Sequence, residues 1–154
     1  MISTEHVLTT TPFVVRRRVK WGECDPAGVT YTVWFSEYVI SAAELFYGFL
    51  FDGSSQPTKD QYNFQTPTRA LTFDFRSRLR PDDQFDMTVH VMAIRSRSYD
   101  LQIYGRTLTA DDVFIAKLSP ICALRGLGRA IPIPPPFRLR LEEYQRRWSG
   151  GSNP

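Results

Sequence analysis

The segment Trp21-Gly22-Glu23-Cys24-Asp25-Pro26-Ala27-Gly28-Val29-Thr30-Tyr31 governs how the rest of the chain is read. Pro26 fixes its own φ and biases Asp25 towards extended backbone, while Gly28 permits a conformation that a side chain would obstruct. A turn is therefore predicted immediately ahead of a long apolar stretch with helical spacing. A helix start offers unpaired N–H groups and a positive dipole end, so a carboxylate placed there lies beside a spot where negative charge on oxygen is stabilised. Turn chemistry alone leaves Asp25 as well suited to a structural role, as an N-cap or in an Asx turn, as to catalysis.

Working outward, residues 13–21 read as a first strand, and the polar residues 1–11 as a flexible tail. Between 32 and 50, Phe35, Tyr38, Val39, Ala42, Leu45, Phe46, Phe49 and Leu50 follow helical spacing over more than one face, which predicts a largely buried helix. Glu37, Ser41 and Glu44 form a narrow polar stripe on it, read as an edge facing solvent or a second subunit. A polar loop is expected up to Gln61. Strand signals begin at Tyr62, resume after Pro67 and run to Arg76 with period-two alternation. Pro81-Asp82-Asp83 marks a turn, and residues 85–93 then alternate with the odd positions apolar, leaving His90 on the other face.

Residues 99–108 and 113–124 complete an antiparallel meander, with Pro120 marking an edge or bulge. A stiff proline run at 132–136 leads to a short terminal helix at 138–148, and 149–154 read as a second tail. Strand, long buried helix and then four strands describe one α+β domain over residues 12–148, a single antiparallel sheet wrapped around one central helix.

Composition limits the function classes. At 154 residues with 42% hydrophobic content the chain suffices for one well-filled core. The net charge is +3, and all basic residues but Lys20, Lys59 and Lys117 are arginine, whose planar fork suits phosphate and carboxylate groups. Cys24 and Cys122 have no metal or redox spacing, and His6 and His90 stand far apart without companions, so no metal site is expected. Arg16-Arg17-Arg18 precedes no apolar signal region, and no stretch approaches the roughly 20 apolar residues of a membrane span. The expectation is a soluble, cytoplasmic protein with reduced thiols, acting without membrane or nucleic-acid partners.

The order of elements, together with Gly22-Glu23-Cys24-Asp25-Pro26-Ala27-Gly28, Thr66-Pro67 and the Arg95-Ser96-Arg97-Ser98-Tyr99 turn, resembles the hotdog-fold acyl-CoA thioesterases, in particular the 4-hydroxybenzoyl-CoA thioesterase group. The resemblance covers residues 13–144. It implies a hotdog fold, hydrolysis of a CoA thioester with coenzyme A as part of the substrate and no other cofactor, and a homodimer or homotetramer with each site built between two subunits. It assigns Asp25 as the carboxylate that attacks the thioester or activates water, with Gly28 shaping its turn and the backbone N–H near Thr32 holding the oxyanion. Substrate contacts fall to Tyr31, Trp34, Phe35 and Thr66, the last from the partner subunit. Coenzyme A contacts fall to Arg95, Arg97 and Ser98, with Arg76, Arg78 and Arg80 as an alternative set.

Two positions depart from the family pattern. Many members carry His or Tyr where this chain has Thr32, and 4-hydroxybenzoyl-specific members carry an acidic residue where this chain has Ile40. A buried phenol hydroxyl left unpaired costs about 1–3 kcal/mol, so specificity for that substrate does not carry over. Competing readings are a hotdog hydratase or dehydratase, which needs a histidine beside Asp25, and a non-catalytic acyl-CoA or nucleic-acid binding module. A nucleophilic Cys24 lacks a nearby base.

Overall fold

The structure, a computed structural model, describes residues 3–149. In chain order it comprises β1 (Glu5–Thr10), β2 (Phe13–Arg18), a 3-10 turn (Trp21–Glu23), α1 (Trp34–Leu50), α2 (Ser55–Gln61), β3 (Phe64–Gln65), β4 (Thr68–Phe75), β5 (Gln84–Ile94), β6 (Tyr99–Thr107), β7 (Asp112–Pro120), β8 (Ala123–Leu124), α3 (Pro135–Tyr144) and a π turn (Gln145–Ser149). Six strands form one sheet in the order β1-β2-β5-β6-β7-β4, and β3 pairs with β8 in a small separate ribbon. All pairings are antiparallel.

Alternation along β5 puts Phe85, Met87, Val89 and Val91 on the concave face with no exposure, against Tyr38, Val39, Ala42 and Phe46 of α1. Each such large side chain contributes roughly 1.5–3 kcal/mol on burial. Phe35 closes the α1 end of the core with edge-on contacts to Phe73, Phe75 and Phe114. Gly105 lies opposite Phe114 on the neighbouring strand, and a Cβ there would collide with its ring. The α3 helix covers the other end of the sheet. Its Tyr144 hydroxyl donates to Val89 O at 2.6 Å and accepts from the Phe13 N–H at 3.0 Å, and Gln145 donates to Met92 O. These side chains satisfy β5 beyond the last β2 pairing and blunt an open sheet edge.

Several boundaries differ from the sequence reading. Within the expected N-terminal tail, Glu5–Thr10 forms β1, paired to β2, because its threonines and valine suit a half-exposed edge strand and Glu5 accepts from the Ser41 hydroxyl at 2.6 Å. Residues 55–61 form α2 in place of a loop; Lys59, without apolar periodicity to announce it, anchors this helix to Glu44. The first strand stops at Arg18 and the last helix begins at Pro135. The last difference concerns Arg76, Arg78 and Arg80, which lie beyond the end of β4 and so share no strand face. Of the expected C-terminal tail, residues 150–154 lie outside the described residues.

Candidate active site

The loop between the 3-10 turn and α1 is a closed excursion. Cys24 and Thr30 form a bridge, Asp25 N–H donates to Val29 O at 2.9 Å, and Gly28 N–H donates to Asp25 O at 2.9 Å. Gly28 has φ +77°, a backbone that an L side chain adopts only with strain. Asp25 Oδ1 accepts from the Ala27 N–H at 2.9 Å, an Asx turn. Asp25 Oδ2 has no partner among the described residues, and the side chain is half-buried. The turn therefore engages one carboxylate oxygen and, among the described residues, leaves the other open to solvent-side chemistry.

At the loop exit, Trp34 N–H donates to Tyr31 O, Phe35 N–H to Thr32 O and Ser36 N–H to Val33 O. Tyr31 N–H donates to Glu23 O at 2.9 Å. Among the described residues the N–H of Thr32 finds no acceptor, so it is an open donor at the start of a 17-residue helix. The base of the loop is held by Glu23, which the sequence reading did not single out. Its Oε1 accepts from Lys20 N–H at 2.8 Å and from the Tyr38 hydroxyl at 2.9 Å, and its Oε2 pairs with Arg17. One signal was available, since Arg17 has the same parity as the inward Phe13 and Val15 on β2 and so required a buried partner.

The aromatic candidates separate. Tyr31 is exposed and Trp34 half-buried, both at the loop exit, whereas Phe35 is a core residue. Ile40 is partly exposed on α1. Thr66 Oγ1 accepts from Lys59 Nζ at 2.8 Å; the same ammonium donates to both oxygens of Glu44 and lies 4.9 Å from the Tyr47 ring centre.

Around the Arg95 turn, Cys122 N–H donates to Arg97 O, Ser98 bridges Ile121, and Ile121 N–H donates to Pro67 O. The Thr66-Pro67 and Arg97-Ser98 segments are thereby brought to either side of Ile121. No hydrogen bond or ion pair joins this group to the Asp25 loop among the described residues. Arg95 is committed to buried Asp100 through two hydrogen bonds of 3.0 and 2.7 Å. That hydrogen-bonded pair holds the Asp100 carboxyl below the usual carboxylate range. Ser98 is buried beside it, while the Arg97 and Arg69 guanidinium groups have no partner among the described residues. Arg69, Arg95, Lys117 and Ser119 rim an open cleft of about 360 Å³ over Asp100.

Other readings lose support. Burial, reinforced by the charges of Asp25 and Glu23, pushes the Cys24 thiol up, which disfavours a thiolate. His90 contacts Tyr104 on the outer face of the sheet, with its pKa lowered mainly by burial. Arg16, Arg18 and Arg106 are paired with Asp86, Asp82 and Asp112, which breaks up any basic stripe on that face. Among the described residues no three His, Cys, Asp or Glu side chains group closely enough to hold a metal, and no helix is long and apolar enough to cross a membrane.

A sequence model of the thioesterase-like superfamily matches residues 19–141. No curated protein sequence matches the chain. Among solved structures, SAV2348 from Staphylococcus aureus in complex with CoA is similar with TM-score 0.83 at 11% identity, over 100% of this chain and 93% of that one. Slr0204, a 1,4-dihydroxy-2-naphthoyl-CoA thioesterase from Synechocystis, gives 0.76 at 18% identity over 85% and 96%. The gentisyl-coenzyme A thioesterase BH1999 gives 0.74 at 18% identity over 83% and 98%. At these identities the likeness speaks for the fold.

Proposed function

The chain belongs to the thioesterase-like superfamily and has the hotdog fold, and from that premise we propose that it hydrolyses an acyl-CoA or aryl-CoA thioester to the free acid and coenzyme A. The observation that carries this reading is the pairing, across one short loop, of a carboxylate with a free oxygen and a helix-start N–H without an acceptor. A thioester has weak resonance stabilisation and a leaving thiolate of modest basicity, so a carboxylate and an oxyanion donor suffice. Asp25 attacks the carbonyl carbon or takes a proton from the attacking water. The Thr32 N–H receives the developing oxyanion, and collapse of the tetrahedral species expels the thiolate of coenzyme A. One such donor contributes a factor of about 10² to 10³ in rate.

On the substrate side, Arg97 is the cation most available to the coenzyme A phosphates, while Arg69 and Lys117 rim the cleft over Asp100 and Arg95 is braced by that carboxylate. Tyr31 and Trp34 offer an apolar surface for the acyl or aryl group, and Ile40 offers no partner to a phenol hydroxyl. We assign a homodimer, or a dimer of dimers, with a second copy along β4. Among the described residues this strand is hydrogen-bonded only to β7; it is eight residues long and exposes Phe75, so its free edge is suited to pairing. Its partner then brings Thr66 towards the Asp25 loop. The free thiols Cys24 and Cys122 fit a reducing cytoplasmic setting.

The test is thiol release from a panel of acyl-CoA and aryl-CoA thioesters by the folded protein, with its mass measured by light scattering. Hydrolysis of at least one class above the buffer rate is expected. Absence of hydrolysis across the panel contradicts the reading.

A further inference from the structure

Glu23 touches four separate parts of the fold. Its side chain is 2% exposed and receives the Lys20 N–H at 2.8 Å, the Tyr38 hydroxyl at 2.9 Å and the Arg17 guanidinium, while its carbonyl receives the Tyr31 N–H at 2.9 Å. Arg17 belongs to β2, Lys20 precedes the 3-10 turn, Tyr38 lies in the second turn of α1, and Tyr31 adjoins Thr32. Asp25 stands two residues after Glu23. The two ends of the loop therefore meet at one residue, which is itself fastened to the helix that follows the open Thr32 N–H.

This arrangement exceeds what packing requires. A buried ion pair gives no dependable stability over apolar residues of similar volume. Apolar side chains could join β2 to α1, but they could not accept from Lys20 and Tyr38 and so fix the loop stem against the helix. Tyr38 is suited to permanent donation, because burial keeps its hydroxyl protonated far above neutral pH. Arg17 also lies 4.7 Å from the centre of the Tyr38 ring, so the three side chains hold one another in register.

We propose that Glu23, acting with Arg17 and Tyr38, is a positioning residue that sets the separation between the Asp25 carboxylate and the Thr32 N–H; this rests on the reading of Asp25 as the reacting carboxylate. Glu23 does not touch the substrate. Displacing a reacting group by about 1 Å lowers a rate by on the order of 10²-fold, so loosening the tether lowers kcat and leaves KM in place.

The experiment compares wild type, Tyr38→Phe and Glu23→Gln for kcat and KM on the best thioester, with thermal unfolding of each. Tyr38→Phe removes one donor and leaves the ring on Phe35 and Phe85, so it remains folded if the glutamine variant does not. The expected result is a kcat loss of roughly tenfold or more for Tyr38→Phe with KM within about twofold, and a larger kcat loss for Glu23→Gln if it folds. Unchanged kcat in folded Tyr38→Phe, or losses that track only the unfolded fraction, overturns the positioning role while leaving Asp25 in place. An inactive wild type overturns the parent reading and the proposal with it.

Discussion

The Asp25 loop and the Arg95 turn both answer to short sequence signals, yet they use their polar groups in opposite ways. In the loop, structural bonds fall on groups other than those that would react: Glu23, the Asp25 main chain and Oδ1 close the turn, leaving Oδ2 and the Thr32 N–H open. In the turn, the leading side chain Arg95 is itself the structural element, braced against Asp100, and availability passes to Arg97. Residue type announces what a group can do, and its bonding decides whether it is free to do it.

The comparison breaks most sharply at Thr32. Tyr31 O accepts from Trp34 N–H across Thr32 and Val33, a turn whose second position accommodates proline. Thr32→Pro removes the open N–H together with the side-chain hydroxyl and is expected to lower kcat by about 10² to 10³ with the fold intact by circular dichroism, whereas Thr32→Ala, which removes the hydroxyl alone, stays near wild type. An equal loss in both variants would move the oxyanion contact to the side chain.

Within the other region, Arg97→Ala is expected to raise KM for CoA thioesters roughly tenfold, the effect of removing one charge-assisted hydrogen bond to phosphate, with little change in melting temperature. Arg95→Ala is expected to do the reverse, mainly lowering stability. Because Asp100 is held below the usual carboxylate range, its contribution is present above about pH 4 and is lost as pH falls further, through the lowered pKa of the folded state. The stability gap between wild type and Arg95→Ala therefore shrinks on acidification below pH of about 4 in urea titrations; a gap independent of pH would mean that the pair is not linked to Asp100. Smallest of all, Cys24→Ser should leave kcat within about twofold, since burial pushes the thiol pKa up and disfavours the thiolate that nucleophilic chemistry would need.

The fold was largely legible because α1 and β5 carry strong periodic signals, and the Asp25 turn is written in Pro26 and Gly28. What escaped was stabilised by single polar contacts. Lys59 anchors α2 without apolar spacing, Glu5 draws β1 onto Ser41, and Asp100 claims Arg95 from five residues away on β6. At the candidate site, Asp25, Gly28 and Thr32 stand in one local segment, so the turn that groups them could be read directly. Glu23 stood in the same segment but took its meaning from Arg17 and Tyr38, whose convergence depends on the packing of β2 against α1.

The central claim is that Asp25 supplies the reacting carboxylate, and the most direct measurement is kcat of Asp25→Asn on the best thioester. Asparagine keeps the Oδ1 acceptor for Ala27 N–H, so the loop is expected to hold its shape with an unchanged circular dichroism spectrum. The expected result is a fall in kcat of at least about 10²-fold. A folded Asp25→Asn protein that retains kcat within about threefold of wild type would contradict a general-base or nucleophilic role for this residue.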